Sequence, residues 1–236
     1  MTPVQQAIEA LYQAFSDQPK PLDIEGCIHC VSRELIEGML STPLRQITSA
    51  QIGEYASSVL NTVGSDADYL YYLPRILELS ATDIYWPTAI ETNGKHIKQS
   101  TLEQWPVARK QALIAYFHAA LDQLLAQSAY EDQEDLDEIT LPFDIEEWSA
   151  PSFKLDAWIC CIASTGLDIR PFLTQVQQYP AHCMCLYDVN SREIKAGKLG
   201  AFWDNDTPNA QIFLQWLTSN ELRSIIEQHY GWPFEA

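Results

Sequence analysis

Cys27-Ile28-His29-Cys30 is the stretch whose residue types and spacing point most directly to chemistry. Two thiols with two residues between them fall on one turn, so both sulfurs can face one zinc ion or close on each other as a disulfide. A structural zinc site needs two further ligands. The candidates are His29, Cys160, Cys161, His182, Cys183 and Cys185, and Cys183 and Cys185 share one side if "AHCMCLYDVN" is a strand. Against zinc, that second half-site has no standard spacing and lies over 150 residues from Cys27. Cys160 and Cys161 sit in an apolar helical pattern, where cysteine behaves as a small buried residue. A redox pair wants its first cysteine ahead of a helix, which Ser32 supplies, but the strand–helix–strand setting of thioredoxin-like proteins is missing. The simplest of the three readings is a structural turn with free, semi-buried thiols.

Other chemistry has no comparable signal. The histidines at 29, 96, 118, 182 and 229 never reach the H-x-x-x-H spacing that puts two imidazoles on one helix face. There is no G-x-S-x-G elbow and no glycine-rich phosphate loop. The expectation therefore leans away from an enzyme.

Charge is the strongest bulk feature. The chain carries 32 acidic against 14 basic side chains, a formal −18, which repels nucleic-acid phosphates and anionic membranes. No Lys or Arg occurs between positions 111 and 153, and that gap holds Glu131, Asp132, Glu134, Asp135, Asp137, Glu138, Asp144, Glu146 and Glu147. Such a run reads as an exposed, solvated segment and as the surface for a basic protein partner. Aromatic residues in "YLYYLP", "YWP", "FW" and "GWPF" would anchor that contact wherever they stay exposed. The beginning "MTPVQQAIEALYQAF" lacks a signal-peptide pattern, and no apolar run approaches the ~18 residues of a membrane span. With six cysteines read as reduced thiols, the expected location is the cytoplasm.

The elements that must position these residues are helical. Val4, Ile8, Leu11, Tyr12 and Phe15 form one helix face, with Thr2 as cap, Pro3 at the first position and Gln5 placed for a capping box; "SDQPKP" ends it. Ser32 caps a short helix over 33–40. Ile52, Tyr55, Ala56, Val59, Leu60 and Val63 make the stripe of another, with Gly64 as terminator, and Tyr69, Leu70, Leu73, Ile76 and Leu77 that of the next, where Pro74 predicts a kink or first turn. Positions 80–101 read as irregular, with "YWP" and "TNGKH" as turn signals. The longest helix is expected over 106–127, followed after the acidic run by helices around Leu155–Ile162 and Ile169–Val176. Thr207 with Pro208 opens another, and the last runs over 220–230 before Gly231. The "AHCMCLYDVN" segment fits strand or helix. The fold class is all-α, with antiparallel helix pairs stacked in a solenoid-like or irregular bundle and little or no sheet. It forms a single domain over 1–236, or two subdomains, 1–129 and 149–236, joined by the acidic segment 130–148. No sequence repeat of fixed period occurs.

Three segments carry a family resemblance: "LYQAFSDQPKPLDIEGCIHC", "YLPRILEL" and "AFWDNDTPNAQIFLQWL". On them the chain resembles a family of uncharacterised bacterial helical proteins. The resemblance covers most of the chain and implies membership without an activity. Cys27 and Cys30 match its G-C-x-x-C turn, Ile28 and His29 stand where other members have a proline or a third cysteine, and "HCMC" is outside the pattern. A weaker likeness, of class only, is to the immunity proteins of bacterial toxin systems. The leading functional expectation is a non-enzymatic protein that binds and neutralises a basic toxin domain. The alternatives are a metal- or thiol-dependent enzyme or sensor built on Cys27 and Cys30, with zinc as the possible cofactor, and a structural scaffold.

Overall fold

Thr2 starts the chain's order. Its hydroxyl accepts the Gln5 N–H while the Gln5 side chain accepts the Thr2 N–H, a capping box that satisfies two otherwise orphan donors and adds about 1 kcal/mol to the helix behind it. That helix, α1 (Pro3–Ala14), buries Val4, Ala7, Ile8, Leu11 and Tyr12 along one face. The computed structural model describes residues 1–27, 29–82, 88–127, 129, 151–200 and 203–231. Among them are eleven α-helices, two 3-10 turns and no strand, so the chain is all-α. Its contacts divide it into two compact units, Met1–Ala120 and Leu121–Ala236.

In the first unit, α1 is followed by α2 (Arg33–Ser41), capped by Ser32, and by α3 (Ser49–Ser58), capped by a second reciprocal box between Thr48 and Gln51. Then come α4 (Asp66–Thr82), α5 (Thr88–Gln99) and α6 (Val107–Leu125), the longest. α4 packs on α1, and α3 on α2, α4 and α5. Tyr55, Tyr69, Tyr72, Tyr116 and Phe117 are fully buried and form the aromatic heart of this unit. α4 continues past Pro74, which lies inside the helix, is buried and contributes packing where it withholds an N–H.

Two expectations fail here. The helix with the Ile52 stripe ends at Ser58, not Gly64, because Leu60 takes a left-handed φ of 62° that an α-helix cannot contain. Val59 and Val63 are still buried, but as members of a loop. The segment expected to be irregular holds the end of α4 and all of α5, so "TNGKH" is helical. Tertiary contacts outweigh its turn composition: Asn93 is buried and donates to the Ser80 hydroxyl at 3.1 Å, and His96 packs edge-on against Tyr69. "YWP" lies outside the described residues.

The second unit contains α7 (Pro151–Ser164), α8 (Arg170–Val176), α9 (Pro180–Ile194), α10 (Pro208–Leu217) and α11 (Asn220–Tyr230). α9 touches all four others, so "AHCMCLYDVN" is the unit's central helix. Prolines open α8, α9 and α10, where the missing N–H has no helical partner to lose. Gly231, at φ 75°, closes α11. The acidic segment 130–148 lies outside the described residues. No helix among the described residues is long and apolar enough to cross a membrane.

Candidate functional site

The segment before α2 is held at both ends. Ile24 and Val31 are each 1% exposed and act as apolar anchors, while Cys27 and Cys30 between them stay half-buried. Gly26 bridges Val63 in the loop between α3 and α4. The Cys27 N–H donates to the Thr62 carbonyl at 2.9 Å, and the Gly64 N–H to the Glu25 carbonyl at 2.8 Å. The chain then turns: the N–H groups of Cys30 and Val31 both donate to the Cys27 carbonyl, at 3.0 and 3.2 Å. Ser32 caps α2 directly afterwards through the Leu35 N–H.

This turn sets the electrostatics of the first thiol. The Cys30 thiol and the nearby backbone N–H groups of His29 and Cys30 hold the Cys27 pKa below that of an ordinary thiol. Arg33 is engaged by Asp23 at 2.7 Å and by Glu37 at 3.3 Å, in exposed pairs that brace the start of α2.

The other four cysteines are core residues. Cys160 and Cys161 are 1% exposed on α7. Cys183 and Cys185 lie on α9, where two residues are about 200° of helical rotation, so they point to opposite sides. Cys183 donates to the Val176 carbonyl at 3.5 Å, and burial pushes its pKa up to about 12; Cys185 donates to the Ala129 carbonyl at 3.1 Å. The strand geometry that would have aimed both sulfurs at a shared zinc is replaced by a helix that separates them. Among the described residues, no group of three or more His, Cys, Asp or Glu side chains is placed to hold a metal ion.

Two buried ionisable groups had no sequence signal. Asp156 on α7 is 2% exposed and accepts from Asn190 Nδ2 at 3.0 Å and from the Trp203 indole at 3.2 Å. Burial raises its pKa to about 6, although the two donors oppose the shift. His96 on α5 is 2% exposed, meets the Asn61 amide at 3.1 Å, and is pushed down to about 4 by burial. Only the long-range partners of these side chains reveal them.

The nine carboxylates at positions 131–147 lie outside the described residues. Over its whole sequence, the second unit has 19 acidic against 6 basic side chains, so it carries most of the chain's negative charge. Among the described residues, the first unit shows five ion pairs and the second one, Asp168–Arg170. The expected aromatic anchors are mostly core where they are described: Tyr69, Tyr72 and Trp203 are buried, and the large apolar side chains that stand fully exposed are Met1, Leu22 and Val107. The chain matches no protein-family model, no curated protein and no solved structure.

Proposed function

We propose that the chain is a non-enzymatic, cytoplasmic protein that binds a basic protein partner through its second unit. The most concrete form is neutralisation of a toxin domain. The observation that carries the reading is the excess negative charge of that unit. It has 19 carboxylates to 6 cations, and nine of the carboxylates fall in a stretch without Lys or Arg. Net charge of one sign steers an oppositely charged surface, raising the rate of encounter and excluding acidic competitors. The segment 131–147 would meet the partner's cations, and the bulk of the unit would cover its active site.

The test is affinity capture from the native host at low and moderate salt, followed by reconstitution of the captured protein with the purified chain. A stoichiometric basic partner whose association rate falls roughly 10-fold or more across that salt range supports the reading. Lys substitutions across the carboxylates of 131–138 should reduce the rate and flatten its salt dependence. Unchanged binding and unchanged salt dependence in that variant would sink it.

A further inference from the structure

We propose that Cys27 and Cys30 form a redox-active dithiol that exchanges with low-molecular-weight disulfides, Cys27 attacking and Cys30 resolving. This chemistry belongs to the first unit and is independent of partner binding by the second.

Burial separates these thiols from the rest. Cys160, Cys161, Cys183 and Cys185 are at most 1% exposed, as expected of cysteine used for packing, whereas Cys27 and Cys30 are half-exposed on a turn whose neighbours Ile24 and Val31 do the anchoring. The turn is also the right size. A hydrogen bond from the Cys30 N–H to the Cys27 carbonyl marks a four-residue turn with ends within about 7 Å, and disulfides span Cα distances of about 4.4–6.8 Å. Closure therefore needs rotation of two side chains more than movement of the backbone.

The roles follow from the turn's own geometry and are supported by its electrostatics. The neighbouring Cys30 thiol and the backbone N–H groups of His29 and Cys30 lower the Cys27 pKa and so favour a thiolate there. The Cys30 N–H bond to the Cys27 carbonyl holds the second cysteine at the other end of the same turn, within reach of the sulfur it must later attack. The bridge to Val63 and the Cys27–Thr62 bond fix the nucleophile's backbone. Two thiols make half of a tetrahedral zinc set, and the described residues bring no further ligands to them, which favours exchange over metal binding.

The reaction balances. The Cys27 thiolate attacks one sulfur of R–S–S–R; the S–S bond breaks and its electron pair leaves on RS⁻, giving a Cys27 mixed disulfide. Cys30 then loses its proton and attacks Cys27 Sγ, expelling the second RS⁻. The protons of the two thiols end on the two RS⁻ groups, and the dithiol has passed two electrons to the disulfide.

The experiment treats the reduced full-length chain with hydroxyethyl disulfide, a neutral probe that the chain's negative charge does not repel, and follows the products by intact and peptide mass spectrometry. The wild type should lose two hydrogens as a Cys27–Cys30 disulfide, keep no adduct, and retain four of its six thiols. Cys30→Ser should stop at the mixed disulfide on Cys27. Cys27 should also be alkylated by iodoacetamide at pH 7 at least ~10-fold faster than Cys30 in Cys27→Ser. A persistent adduct on the wild type, or equal alkylation rates for the two cysteines, would overturn the dithiol. So would about one equivalent of zinc per chain, or per pair of chains, in chelator-free protein that is lost in Cys27→Ser. Should Cys27→Ser misfold, peptide-resolved alkylation of the wild type alone gives the same comparison.

Discussion

Gly26 and Val63 approach so closely that no side chain fits between them: a Cβ on Gly26 would lie 2.5 Å from Val63 Cα and 2.6 Å from the Thr62 carbonyl oxygen. Gly26 also has a φ of 153°, a conformation L side chains rarely adopt. The dithiol turn and the α3–α4 loop are thus held together by the absence of an atom.

Replacing Gly26 with Ala should therefore separate the two segments. Backbone strain and the clash with Val63 predict a loss of about 2 kcal/mol or more in the first unit. Cys27 alkylation should lose its advantage as the turn is released from the α3–α4 loop. Chemical denaturation followed by tyrosine and tryptophan fluorescence measures the first effect, and iodoacetamide kinetics the second. An unchanged denaturation midpoint would mean that the loop moves aside without cost.

Asp156 makes the second unit's stability depend on pH. Its folded pKa, about 6, lies above the ordinary value of 3.8, so the folded state binds the proton more tightly. The resulting stabilisation is complete below pH 3.8 and is lost as pH rises through 6, a swing of roughly 3 kcal/mol. Asp156→Asn cannot ionise and should remove this dependence. Thermal melts of both proteins from pH 4 to 7.5 check it: parallel curves would show that Asp156 ionises freely where it lies.

His96 works in the opposite direction. Its folded pKa of about 4 is below the ordinary 6.5, so the first unit keeps this contribution above pH 6.5 and loses it as the pH falls toward 4. An NMR titration should find the His96 ring neutral at pH 5. A ring that protonates near 6.5 would mean that α5 opens to water more readily than its packing indicates.

Arg109 ties the end of α1 to α6. Its side chain is 8% exposed, donates to the Ala14 carbonyl at 3.2 Å and to Asp17 at 2.6 Å, and lies over the Phe15 ring. Arg109→Met keeps most of the stem and removes the donors. Because Asp17 is 72% exposed and can turn to water, the expected loss is about 1–2 kcal/mol, less than for a fully buried pair. Equilibrium unfolding in urea measures it.

Helix starts were legible because their signals are local. Thr2 with Gln5, Ser32, and Thr207 with Pro208 each sit within a few residues of the N–H groups they serve, and each caps as the spacing predicts. The misreadings occur where distant residues decide. Asn93 and Gly94 favour a turn until Ser80 gives Asn93 a buried partner, and the Ile52 stripe gives no hint of the left-handed Leu60 that ends α3 early. The mixed pattern of "AHCMCLYDVN" is ambiguous because α9 is central and meets helices on several sides, so no single face is apolar. Of the candidate site, the C-x-x-C spacing was plain. Its clamp was not, since Val63 stands more than 30 residues from Gly26 and carries no turn or cap signature.

The placement of the six cysteines gives the chain a built-in gauge of its own breathing. The accessible pair lies in the first unit and the four sealed thiols, at 160, 161, 183 and 185, in the second. A reagent that consumes Cys27 and Cys30 quickly must wait for α7 or α9 to open before it reaches the others. The slow phase of a simple thiol count therefore reports the opening free energy of the second unit, without label or mutation. Run with and without a bound partner, the same count would show whether binding tightens that unit.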